Sequence, residues 1–189
     1  NRVLFTNSHR YARQPQTKQW RCTGGFTPGD AVPQNREEAF PELWDKVPVG
    51  LLHLLAESRC EWVHDFAAKA LRANTKFCES LDVETLTMML GRGYKLTVRL
   101  AFELAVARYD PRNPDIDLVA AMINCSVEEA RIQAQRWVHQ DRQRFLEHRG
   151  LVADVGVARQ ADTGTGLTRA PSIMCRPSIS TGSKAPGRA

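Results

Sequence analysis

Between Arg36 and Arg149, apolar residues return every three or four positions, and nowhere in the 189 residues do they alternate with polar ones between hairpin turns. That periodicity restricts the middle of the chain to helices. Phe40, Leu43 and Trp44 mark a short helix within Arg36–Lys46, and Pro48 opens the next. Val49 to Ala73 reads as one long helix or as two broken near Ser58. Leu51, Leu52, Leu54 and Leu55 are apolar almost all round, whereas Trp62, Val63, Phe66, Ala67 and Ala70 form a stripe. Asp82 is placed to cap a helix over Val83–Leu90, which Gly91 ends. Leu96, Leu100, Leu104 and Ala107 repeat in phase until Asp110-Pro111 stops them. No tandem repeat of fixed period stands out. The expected fold is all-α, a small irregular array of roughly five to seven helices over residues 36–150. Long extended tails at 1–35 and 151–189 flank it.

The last part of this body, residues 113–150, carries the sharpest local signals. Pro114 can occupy a first helical position behind Asn113. Ile116, Val119, Ala120 and Ile123 follow at helical spacing, and Asn124 can close that helix in a left-handed conformation. Ser126 and Glu129 have the spacing of a capping box at the start of a second helix, which Gly150 ends about 33 Å further on. Val119, Ala120, Ile123, Asn124, Cys125 and Ala130 fall where a helix-turn-helix wants apolar, small, apolar, turn, apolar and apolar residues, so the segment resembles that motif. Trp137 followed by Arg142 and Arg144 also resembles part of a homeodomain's third helix. The resemblance implies that Arg131, Arg136, Arg142 and Arg144 could face nucleic acid. Glu128 and Glu129, in the first turn, suit the helix dipole better than phosphates.

Charge separates the ends from the middle. Residues 1–35 hold five Lys/Arg and one Asp, a net of +4, and residues 150–189 hold five Lys/Arg and two Asp, a net of +3. The intervening stretch has 16 basic and 18 acidic residues, a net of −2. Basic ends on a near-neutral body are the pattern of arms reaching a polyanion. In the first arm Arg2, Arg10, Arg13, Lys18 and Arg21 can neutralise phosphates, and Tyr11 or Trp20 can stack on unpaired bases. The alternative is an arm laid on neighbouring proteins. The second arm is rich in Gly, Ser, Thr, Ala and Pro and offers Ile173, Met174 and Ile179 as anchors, with Val152, Val155 and Val157 as a strand for a neighbour's sheet.

Chemistry-bearing patterns are sparse. Cys22, Cys60, Cys78, Cys125 and Cys175 are odd in number and form no CxxC pair, which argues against a disulfide framework or a closed zinc site. Glu61 and His64 make one ExxH, but no second accompanies it, so no metal or other cofactor is expected. The glycines of Gly91-Arg92-Gly93-Tyr94-Lys95 lack P-loop spacing, and Gly164-Thr165-Gly166 lacks the third glycine of a dinucleotide turn. No serine sits in a nucleophile elbow. The longest apolar run, Val49–Ala56, is far short of the ~20 residues a membrane helix needs.

The expectation is therefore a non-catalytic structural subunit of a large ribonucleoprotein, contacting rRNA and neighbouring proteins through its arms. It is similar in build to mitochondrial ribosomal proteins. A chain starting at Asn1 rather than Met, with basic arms and no disulfide pattern, suggests a trimmed precursor in the mitochondrial matrix. Two alternatives stand beside it: a helix-turn-helix DNA-binding protein, and an accessory subunit of a mitochondrial respiratory complex.

Overall fold

Prolines, a capping aspartate and short polar turns divide the middle of the chain into helices close to where the periodicity breaks. The computed structural model describes residues 2–31 and 33–146. Ahead of the body lie α1 (Arg2–Phe5), β1 (Tyr11–Arg13) and β2 (Trp20–Cys22). The body runs through α2 (Pro41–Lys46), α3 (Pro48–Glu57), α4 (Glu61–Ala73), α5 (Thr75–Glu79), α6 (Val83–Leu90), α7 (Lys95–Arg108), α8 (Ile116–Asn124), α9 (Glu128–Gln140) and α10 (Arg142–Leu146). The described residues are thus mostly helical, with one two-stranded antiparallel sheet.

Pro41 and Pro48 each stand in the first helical turn of their helix, where a missing N–H costs nothing. Ser58 leaves α3 in an extended conformation, so Val49 to Ala73 is two helices. The Asp82 carboxylate accepts from the Thr85 amide at 2.7 Å and starts α6 as expected.

The helices pack as three successive hairpins, α3 with α4, α6 with α7 and α8 with α9. Their first helices begin at Pro48, Val83 and Ile116, 35 and 33 residues apart, and their second helices at Glu61, Lys95 and Glu128, 34 and 33 apart. Equivalent positions share burial. Leu51, Leu86 and Val119 lie one turn into the first helices and are 0%, 1% and 1% exposed; Leu55, Leu90 and Ile123 lie a further turn on at 0%, 1% and 2%. In the second helices Ala67, Ala101 and Ala134 are all 0% exposed, the small side chain letting each helix close on its neighbours. Between hairpins, α4 packs on α7 and α6 on α8. Each hairpin thus packs on the next, through its second helix at the first junction and through its first helix at the second. The hairpins recur in residue size and burial, not in residue identity, and their spacing varies between 33 and 35 residues.

Several expectations change. Residues 2–31 are not an extended arm, because α1 and the hairpin fold back onto α4. Tyr11 pairs with Cys22, Ala12 with Arg21 and Arg13 with Trp20, a register that turns Tyr11 and Trp20 to one face. Asp115, not Asn113 before Pro114, caps α8 by accepting from the Leu118 amide. Cys125 ends α8 in an extended conformation, so Asn124 does not close it in the left-handed region. No side chain caps α9, whose N-cap is Val127; the Ser126–Glu129 box is not formed, and Glu129 instead meets Arg99 on α7 at 3.2 Å. The 33 Å helix breaks at Asp141 (φ −129°, ψ 56°), leaving α9 about 20 Å long. Residues 147–189, including Gly150, the tail valines and anchors, Gly164–Gly166 and Cys175, lie outside the described residues.

Candidate functional site

The densest gathering of polar groups lies where residues 2–38 meet α4. Arg10, at the entrance to β1, is 6% exposed. Its Nε donates to Glu37 Oε1 at 2.9 Å and its Nη2 to Glu37 Oε2 at 2.5 Å. Ser8 Oγ donates to Glu37 Oε1 at 2.6 Å, and Lys69 of α4 approaches Oε2 at 3.6 Å. Around the guanidinium stand Phe26, Tyr11 and Trp62, with ring centres 5.0, 5.2 and 5.9 Å from its central carbon. Phe5 bridges the cluster, 4.8 Å from Tyr11 and 5.5 Å from Trp62. Burial works against every charge here. It would lower the Arg10 pKa and raise that of Glu37, but their mutual hydrogen bonds and attraction outweigh it and favour both ionised forms. At Lys69 burial wins and lowers the pKa despite Glu37. Asp65, on α4, is pushed up to about 6 by burial and then by Glu61, against the pull of Lys69 and Arg10.

These positions rearrange the proposed RNA contacts. Arg10 is enclosed, and Tyr11 is engaged with Phe5, Phe26 and Trp62, while Trp20 lies 6.2 Å from Phe5. A guanidinium this deeply enclosed does not meet phosphates in this conformation, whereas the Tyr11 and Trp20 rings are half-buried. Arg2, Lys18 and Arg21 are exposed and Arg13 is half-buried. The sequence held no local signal for the Arg10–Glu37 pair, whose members are 27 residues apart.

The helix-turn-helix reading meets a similar rearrangement. Ala130, Ala134 and Trp137 bury one face of α9, with Trp137 stacked on Tyr109 at 3.7 Å between ring centres. Arg131 Nη1 donates to Cys125 O at 3.1 Å and Arg144 Nη1 to Arg112 O at 2.8 Å, so both guanidiniums tie loops to helices. Arg136 and Arg142 are exposed, as are Glu128 and Glu129 in the first turn of α9.

Between α6 and α8 runs an open groove of about 500 Å³, lined by Val83, Glu84, Thr87, Asp117, Ala120, Ala121 and Asn124. Its charged lining groups are both acidic. It lies where two repeat units meet, the place at which helical stacks present a continuous surface.

His64 is a packing histidine. It is 0% exposed and stacks on Tyr94 at 3.6 Å. Nε2 lies 3.0 Å from the Ser58 carbonyl and so carries the proton, which leaves Nδ1 to accept from the Thr97 hydroxyl at 2.9 Å. Burial lowers its pKa. Among the described residues no three His, Cys, Asp or Glu side chains converge as a metal site, and no helix is long and apolar enough to cross a membrane. Cys78 and Cys125 are buried, and burial raises both thiols.

No family model matches the chain, and no curated protein or solved structure matches it either.

Proposed function

We propose that this chain is a non-catalytic structural subunit that joins partners within a larger assembly, using its stack of helical hairpins as a scaffold. One observation carries the reading: three hairpins repeat every 33–35 residues with equivalent positions buried. Such stacks build extended surfaces whose curvature serves binding. The shallow groove between α6 and α8 adds two acidic groups, Glu84 and Asp117, to that surface. Its charge suits basic segments of partner proteins, in a chain whose formal net charge is +5.

A ribonucleoprotein setting, with the mitochondrial ribosome as its example, rests on the exposed cations. Arg2, Lys18, Arg21, Arg136 and Arg142 face solvent and can still meet phosphates. Tyr11 and Trp20 are half-buried against neighbouring rings, so any stacking on bases falls to the faces they leave exposed.

Sedimentation of the tagged full chain from native cells, with and without ribonuclease, tests both levels. A fast-sedimenting complex that survives nuclease supports a protein-joined assembly, and one dispersed by nuclease supports the ribonucleoprotein form. Sedimentation as a free monomer in both arms overturns the proposal.

A further inference from the structure

The junction between residues 2–38 and α4 encloses a cavity of about 10 Å³ lined by Leu4, Phe5, Arg10, Glu37, Glu38, Trp62, Asp65, Phe66 and Lys69. One donor in it has no partner: Arg10 Nη1 is buried and makes no hydrogen bond, whereas Nε and Nη2 are both taken by Glu37. An unmet guanidinium N–H in a dry site costs at least as much as a lost hydrogen bond. A space of this size holds about one water, provided that two or more polar groups can bind it. Arg10, Glu37, Asp65 and Lys69 supply them.

We infer that this cavity is a single-water site shared by the N-terminal segment and α4, and that the segment's seating on the stack takes up a proton at Asp65. The water accepts from Arg10 Nη1 and donates to the carboxyl groups around it. Charge around Asp65 comes from every side: Glu61 and Lys69 on α4 itself, Arg10 ahead of β1, and Glu37 from the strand of chain before α2. Two cations already share the Glu37 carboxylate, so a second buried carboxylate adds desolvation cost that its neighbours only partly offset. Protonated, Asp65 becomes a donor to the same water at far smaller cost. Released, the segment uncovers Asp65, whose acidity falls back toward its ordinary value while Glu61 stays beside it on α4.

Linkage sets the sign. A carboxyl whose pKa is about 6 when seated and about 3.8 when free binds its proton more tightly in the seated form, so seating strengthens as pH falls from 7 toward 5. Those two values correspond to a gain of about tenfold in the seating equilibrium over that interval.

Native-state hydrogen exchange on the full chain reads this directly. The amides of β1 and β2, corrected for intrinsic rates, should gain about tenfold protection between pH 7 and pH 5, while amides of α7 from Val98 to Ala105 stay level. Asp65→Asn, isosteric and uncharged, should show the higher protection at both pH values. Flat protection in the wild-type hairpin, or an Asp65→Asn hairpin no better protected than wild type at pH 7, overturns the proton linkage. A crystal structure should show one water on Arg10 Nη1 and Asp65, and direct contact between those two groups, with no water, overturns the site.

Discussion

The stack from α3 to α9 and the segment from Arg2 to Glu38 are held together by opposite means. The stack closes through apolar side chains that are almost fully buried and through alanines that let helices touch, and each hairpin is a local contact of short loop length. The segment closes through one buried ion cluster and a ring of aromatic edges, reaching across about 27 residues of chain. Apolar burial tolerates change of partner and adds up smoothly over area. A buried charge cluster is all-or-none, because removing one member strands the others. The stack should therefore lose stability in proportion to lost volume, whereas the segment should detach as a unit and leave the stack folded.

Trp137→Ala tests the stack side and carries the largest effect. Trp137 is 6% exposed and lies parallel to Tyr109, so truncation should cost about 3–5 kcal/mol and lower the urea midpoint of the whole transition. A loss under about 1 kcal/mol would mean that α9 does not share the cooperative core. Glu37→Gln tests the other side. It leaves Arg10 and Lys69 buried without their countercharge and should cost the segment about 2–3 kcal/mol of seating. Limited trypsin digestion should then cut after Arg13, Lys18 and Arg21 much faster, while the urea midpoint followed by helical circular dichroism moves little. Acid separates Glu37 from Asp65. Glu37 titrates below its ordinary value when seated, so its contribution is present above about 4.5 and fades as pH falls through that range. Asp65 contributes in the reverse sense between about 6 and 3.8. The seated segment should be most protected at about pH 4 to 4.5 and loosen on either side.

The same contrast explains which parts were legible in the sequence. The helices of the stack announced themselves through periodicity, through Pro48, and through Asp82 three residues before the amide that it caps. The repeat was hidden because Leu51, Leu86 and Val119 match in burial but not in identity, and because helices of 10, 8 and 9 residues blur the spacing. The hairpin was hidden because three-residue strands are too short to show alternation. Arg10 looked like a nucleic-acid contact because a basic, aromatic segment without a helical period is also the composition of an arm that folds back on the body. What decides between the two is Glu37 and Trp62, and nothing local to residues 10–20 points at either. Of the candidate α9 residues, Arg131 and Arg144 were legible as basic but not as loop ties, since their acceptors are backbone carbonyls that any sequence supplies.

Phe40, where segment and stack join, gives the smallest and sharpest test of the boundary between them. It sits at φ 56°, ψ 52°, a left-handed conformation, and its ring is 66% exposed. A side chain in that region costs about 1–2 kcal/mol, while a ring one-third buried returns roughly 0.5–1 kcal/mol. Three hydrogen bonds hold the backbone in this turn, the weakest from the Trp44 amide to the Phe40 carbonyl at 3.5 Å. The Phe40 carbonyl accepts from the Leu43 amide at 3.0 Å, and the Ala39 carbonyl accepts from Trp44 Nε1 at 3.1 Å. Glycine adopts the same turn without the steric cost. Phe40→Gly should accordingly stabilise the protein by about 0.5–1 kcal/mol in urea unfolding, with tryptic cleavage of the segment unchanged. A destabilisation instead would mean that the exposed ring is packed against more than the stack, and faster cleavage would mean that this turn, not the Arg10–Glu37 pair, seats the segment.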